Sequence, residues 1–278
     1  MSSQLVWLIT GTSSGLGREL ALEALGRGDK VIATSRAPSS HKLGSLKAAG
    51  AQTLVLDVTA PLEELHAVAK VAVSLGNLFG PLNVARAFLP YMRAARRGTI
   101  LWNGSCKAWV PLVNVGLYAA TKAAVHSLSS TLHAEISPFG LRSIVVEAGH
   151  FRTSVVTVGH RPEPSTQILD YRATMDPVQQ AFNGKSLSLV WSSLTTAIVA
   201  DFDGHQPGDP KKGVKIFVDL VRGEGVAAGR SVPQALPLGS DGVKDVRSAC
   251  EEALRVLDDW NEVCVSTDFK SRATSCKL

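Results

Sequence analysis

Close to the start of the chain, TGTSSGLG (residues 10–17) stands between LVWLI (5–9) and RELALEALGRG (18–28). A short apolar run, a glycine turn, and then Leu and Ala at helical spacing read as strand, tight turn and helix. In that order Gly11 allows the turn, Gly15 lets the backbone approach a pyrophosphate, and Gly17 lets the helix pack closely on the sheet. Free amides at the helix start face the anion, Leu16 belongs to the same cradle, and Ser13 and Ser14 add hydroxyl donors. A glycine triplet alone is weak evidence, but a strand before it and a helix after it supply the context that gives it meaning.

A second strand, KVIATS, runs into Arg36 where an acid would hold a ribose 2′-hydroxyl. A planar guanidinium there suits a 2′-phosphate instead, so NADP(H) is favoured over NAD(H). The competing reading of Arg36 is a solvent-exposed residue just past a strand. A third strand, TLVLDV, ends in Asp57 and Val58.

Further on, ILWN reads as a strand and GLYAATKAAVHSLSSTLHAEI as a long helix, with Ala123, Ala124, Leu128, Leu132 and Ile136 as its apolar stripe. Tyr118 and Lys122, four apart, share a helix face, so the lysine can sit beneath the tyrosine ring. A free phenol with a pKa of about 10 exchanges protons poorly near neutrality, and a close ammonium lowers that value. Tyr118 then serves as general acid for a carbonyl or base for an alcohol. Ser105, thirteen residues before Tyr118, is placed at a strand end to hydrogen-bond the reacting oxygen.

TGTSSGLG, Asp57, Ser105 and YAATK together resemble the classical short-chain dehydrogenases/reductases over roughly residues 5–160, in the NADP(H)-preferring, hydroxysteroid- and retinol-dehydrogenase-like branch. The resemblance implies a three-layer α/β fold, a Rossmann-like doubly wound parallel sheet. It implies an NADP(H)-dependent oxidoreductase acting on a ketone, an aldehyde or the corresponding alcohol of a hydrophobic small molecule. It places Asp57 and Val58 against the adenine, Lys122 also on the nicotinamide ribose, and Asn77, 28 residues before Ser105, on a proton-relay water. Where the family carries Pro-Gly this chain has Ala148 and Gly149, and Thr153 matches a Thr that contacts the carboxamide. The lost proline frees a fixed φ and restores a backbone donor.

One family segment is missing. A fourth strand ending in Asn-Asn-Ala-Gly belongs between Asp57 and Asn77, yet only 20 residues separate them and TAPLEELHAVAKVAVSLG fills the interval. The shortfall is on the order of thirty residues, about a strand and part of a crossover helix. A central strand cannot vanish without leaving unpaired backbone groups. Two repairs are open: VAVSL (71–75) forms a makeshift fourth strand after a short helix, the favoured reading, or 61–75 is one helix and the sheet closes up. A third possibility is a splice or gene-model product lacking an in-frame segment.

The whole chain of 278 residues, 45% hydrophobic and 19% charged, suits one globular domain: a cofactor-binding part over 1–150, a substrate lid and C-terminal helices over 151–265, and a tail. The lid offers Phe151, Tyr171, Phe182 and Trp191 as an apolar pocket wall, each of which is singly more ordinary as core. Prolines and glycines over 204–240 suggest loops around a short helix, with Asp209 as N-cap, Pro210 at N1 and Val214, Phe217, Val218 and Val221 on one face. A later amphipathic helix, GVKDVRSACEEALRVLDDWNEV, is expected to pack on the sheet.

Four dispersed cysteines suggest reduced thiols, and His126 with His133 suggests one polar helix face rather than a metal site. The charge of +5 is scattered apart from Arg93, Arg96 and Arg97 at a helix end, so no nucleic-acid partner is expected. Neither a membrane span nor a secretory leader is visible, which points to the cytosol, and Cys276-Lys277-Leu278 makes the peroxisome the alternative. A homodimer or homotetramer through the long helices follows from the resemblance. Two rival functions remain: a relative performing isomerisation, dehydration or cyclisation, and a non-catalytic dinucleotide-binding protein.

Overall fold

The computed structural model describes residues 4–56, 69–113, 115–154, 169–171 and 204–269. The expected strand–turn–helix opens it, with β1 at Val6–Ile9 and α1 at Gly15–Gly26. Strands β2 (Lys30–Ser35) and β3 (Gln52–Val55) follow, separated by a 3₁₀ turn and a short helix α2 (Gly44–Ala48). The long helix α3 (Ala69–Ala95) leads to β4 (Gly98–Asn103), then α4 (Gly116–Ile136) and β5 (Leu141–Ala148). Helix α5 (Pro210–Arg222), strand β6 (Ala235–Leu238) and helix α6 (Ser240–Val265) complete the described chain.

All strand pairs are parallel, but they fall into two ladders: β1-β2-β3 in one sheet and β4-β5-β6 in another. Among the described residues no strand pairs with the outer edge of β1. The makeshift strand expected at 71–75 does not form, because that stretch lies inside α3. Its β-branched alternation was too short to outweigh continuity with the helix that follows. Nor do the described strands close into one ladder, the other repair.

Helices bridge what the ladders leave apart. Val218 of α5 joins the core of Trp7, Ile9, Ala21, Ala24 and Val31 around the first sheet. Val214, Phe217 and Leu220, on the same helix, pack with Val146 of β5, and Leu16 and Leu20 of α1 lie against that second cluster. A third cluster, Ala85, Trp102, Val125 and Val145, fastens α3 and α4 to the second sheet. The result is parallel sheet between helical layers.

Local signals explain the start of α5. Asp209 caps α5 by accepting from the amides of Lys211 and Lys212, with Pro210 as the first helical residue, as expected. Strand β6 was not anticipated: Pro237 hides it, yet a proline is tolerated there because, among the described strands, β6 is an outer one that pairs with β5 alone. Only the first turns of α6 pack on the body, and residues 251–268 are exposed throughout, so the expected packing of this helix holds for its start alone. No described helix is long and apolar enough to cross a membrane.

Candidate active site

The glycine turn adopts the geometry its sequence demands. Gly11 and Gly15 have φ of 69° and 59°, in the left-handed region that a Cβ disfavours. A Cβ on Gly17 would lie 2.7 Å from the carbonyl oxygen of Gly11, so this glycine allows α1 to sit directly on the turn. Ser14, at the N-cap, makes no side-chain capping bond, leaving the first amides of α1 without that partner. Thr12, which the sequence reading passed over, fixes the turn to the first sheet: its amide and its hydroxyl both donate to Thr34 O at 3.0 Å. Ser13 is partly exposed beside it, and Arg36 stands exposed just past β2.

The second group of residues sits on the other sheet. Ser105 follows β4, is 6% exposed, and caps a 3₁₀ turn (Cys106–Ala108) by accepting at Oγ from the Lys107 amide at 3.2 Å. Tyr118 lies in the first turn of α4 and is 38% exposed, whereas Lys122, one turn on, is buried. The Lys122 ammonium donates to Asn103 O at 2.7 Å and lies 5.5 Å from the centre of the Tyr118 ring. Burial lowers its pKa to about 8. Cys106, between Ser105 and Lys107, is no rival nucleophile: burial pushes its thiol up to about 12, so it stays protonated at neutral pH.

The face of α4 turned to β5 carries several polar side chains. Ser129 Oγ lies 3.0 Å from Ser143 Oγ, which accepts from Trp102 Nε1 at 2.8 Å, and His133 Nδ1 lies 3.1 Å from Ser143 O. His126 Nδ1 is 2.6 Å from Oε1 of Glu147, a carboxylate only 1% exposed whose other oxygen accepts from Trp109 Nε1 at 2.6 Å. These two histidines thus share one polar helix face, and that face is turned to the sheet. Of the expected apolar stripe, Ile136 is buried but Ala123 is exposed; the buried side also holds Ala119, Lys122, Val125 and Ser129.

Beyond β5 the chain passes close under α6. A Cβ on Gly149 would collide with Asp241 and the amide of Gly242, so glycine is needed here to let the helix start approach. Asp241 Oδ2 receives the His150 amide at 2.7 Å and lies 2.6 Å from His150 Nδ1. Thr153 reaches the glycine turn, its Cβ 3.7 Å from where a Gly15 Cβ would stand. This contact joins the two residue groups across the two sheets. Phe151 is core, the more ordinary of its two readings: its ring covers Gly208 and Gly213, where any Cβ would strike it. Tyr171 is exposed. Asp57, Val58, Phe182 and Trp191 lie outside the described residues, and of Asn77 only the backbone, within α3, is described.

Comparison with known proteins agrees with this arrangement. Residues 72–162 match the short chain dehydrogenase family. An oxidoreductase, claN, from Passalora fulva is 32% identical over 207 residues, spanning 63% of this chain and 94% of the relative. A 3-ketodihydrosphingosine reductase from Bacteroides thetaiotaomicron is 31% identical over 202 residues, 62% of this chain and 72% of that one. A solved short-chain dehydrogenase from Streptomyces avermitilis superposes with a TM-score of 0.74 at 27% identity, covering 96% of this chain and all 100% of its own. Sequence and fold therefore lead to one conclusion, that the chain belongs to the short-chain dehydrogenase/reductase family of oxidoreductases.

Proposed function

We propose that this protein is an NADP(H)-dependent oxidoreductase that interconverts a ketone or aldehyde of a hydrophobic small molecule with the corresponding alcohol. The observation that carries the reading is the buried Lys122 ammonium beneath the Tyr118 ring, on the same sheet as Ser105. The residues for the cofactor fit as well: no atom lies within 4 Å of a Cβ built on Gly11, α1 begins without a side-chain cap, and Arg36 is exposed for a 2′-phosphate. Gly15, Leu16, Gly17, Ser13 and Ser14 complete the cradle, with Gly149 and Thr153 at the nicotinamide end.

When bound, the nicotinamide supplies hydride to the carbonyl carbon, or takes it from the alcohol. Ser105 orients the substrate oxygen by donating its hydroxyl hydrogen. Tyr118 gives its phenolic proton to that oxygen in reduction and removes it in oxidation. Lys122, charged below about pH 8, stabilises the phenolate left behind. Asn77 is the proposed relay partner.

A relative named as an NADPH-dependent 1-acyldihydroxyacetone phosphate reductase, from Schizosaccharomyces pombe and 29% identical over 188 residues, supports the choice of cofactor. A human retinol dehydrogenase 5, 30% identical over 185 residues, supports a hydrophobic substrate. The same reading includes a homodimer or homotetramer through α3 and α4, supported by exposure of Phe79, Phe88, Tyr91 and Leu117. It includes the cytosol, supported by the free thiols of Cys106, Cys250 and Cys264.

A second reading, non-catalytic dinucleotide binding, is favoured by one observation: β1 has no described partner on its outer edge. Titration of NADPH fluorescence followed by turnover on a panel of hydrophobic ketones separates the two. Binding with turnover is expected. Binding without turnover selects the second reading, and absence of binding removes both.

A further inference from the structure

A carboxylate far along the chain is tied to the turn that carries Ser105. Asp245, in the second turn of α6, meets Lys107 Nζ at 2.9 Å, and both side chains are largely buried, 13% and 14% exposed. Lys107 is therefore held at two points. Its ammonium is fixed by α6, and its amide donates to Ser105 Oγ at 3.2 Å. An oxygen that already accepts this amide hydrogen has its own hydrogen free to point elsewhere, so the place of Lys107 sets the direction in which Ser105 donates.

We propose that Asp245, acting through Lys107, is a positioning residue for Ser105. The inference rests on the reading of Ser105 as the group that orients the substrate oxygen. Burial is what gives the contact its hold: a pair this far from solvent is weakly screened, and removing one partner strands the other charge in the protein. The arrangement is also directional. Asp241, one turn before Asp245, grips His150 after β5, so the start of α6 spans both loops leaving the second sheet. Trp109, at the far end of the Ser105 turn, is held independently by Glu147, which leaves Asp245 as the tie nearest the serine. The Asp245 carboxylate faces Lys107 and Cys106 from the turn; the other charged groups on this stretch of α6 are Asp241, Lys244 and Arg247.

The test uses the full chain with two variants, Asp245→Asn and Lys107→Met, and two measurements. Amide hydrogen exchange should quicken about tenfold or more in peptides covering 104–110 and stay unchanged in those covering 8–18. In turnover assays kcat should fall about tenfold to a hundredfold, the scale of a small misplacement, while KM for NADPH moves less than about twofold. The exchanged pair K107D/D245K should recover part of the loss. Wild-type exchange and kcat in both variants would overturn the proposal, as would a uniform rise in exchange along the chain, which marks general destabilisation. Exchange decides the tie without turnover: if the wild type reduces nothing yet residues 104–110 loosen, the tie stands and the oxidoreductase reading is what fails.

Discussion

The two sheets differ in how completely they are enclosed. In the second, β5 is buried along nearly its whole length, from Leu141 through Ala148, with helices fastened to it by packed clusters. In the first, β3 is exposed at every position, and Val6, Leu54 and Val55 are 67%, 50% and 55% exposed. The proposed proton-handling residues belong to the enclosed sheet and the proposed phosphate cradle to the open one. Ser105, Tyr118 and Lys122 are thus arranged by contacts that do not require a strand beside β1, whereas the proposed dinucleotide seat relies on Thr153, α1 and α5 to bring the two sheets together.

The contrast can be broken at several points. The largest effect is expected from Tyr118→Phe, which should lower turnover about 10²- to 10⁴-fold while NADPH still binds; steady-state kinetics beside a fluorescence titration read both, and intact reduction would remove Tyr118 from the mechanism. Next, Leu141→Ala in the enclosed sheet should cost about 2–5 kcal/mol, against less than about 1 kcal/mol for Leu54→Ala in the open one. Chemical denaturation compares them, and equal losses would show that the sheets are equally packed. Arg36→Ala removes the proposed charge-assisted contact to the 2′-phosphate and should weaken NADPH about 10- to 100-fold with little change for NADH. Equal weakening of both cofactors would dismiss the 2′-phosphate assignment.

The smallest effect is a pH dependence. Lys122 has its pKa lowered from 10.5 to about 8 by burial, so the ammonium proposed to support the Tyr118 phenolate is lost as pH rises through about 8. Turnover limited by that ammonium should fall by up to tenfold per pH unit above this value. Stability moves the other way: between about 8 and 10.5 the unfolded chain binds the proton more tightly, so the penalty of burying the charge, full below about 8, fades as pH rises. A pH–rate profile whose alkaline limb disappears in Lys122→Met would confirm the assignment, and a limb unchanged in that variant would refute it.

Much of this arrangement was legible because it is written locally. LVWLI, KVIATS, ILWN and LRSIVVEA are short apolar runs that each form the strand they suggest, and the glycine turn and the Tyr118–Lys122 step need only neighbours in sequence. Features that depend on distant partners were not. The inward face of α4 carries Lys122, His126, Ser129 and His133, whose polar atoms meet β5 and the end of β4; apolar periodicity finds Leu132 and Ile136 on the packed side but passes over these polar members. Asp241 lies 91 residues and Asp245 138 residues from the partners they hold, with no local pattern to announce them. Residues 71–73 show the opposite failure, a three-residue alternation that fits a strand but is absorbed by α3.

Among the described residues no strand pairs with the outer flank of Val6–Ile9, and this has a consequence beyond chemistry. Main-chain amides and carbonyls left in a row act as a template on which an extended segment of another molecule can zip, and natural sheets ordinarily blunt such flanks with charge, proline or a covering element. Trp7, Leu8 and Ile9 provide none of these devices. Crowding should therefore drive these molecules into β-rich clusters, with self-adhesion rising steeply with concentration and subsiding when a lysine is introduced at Val6.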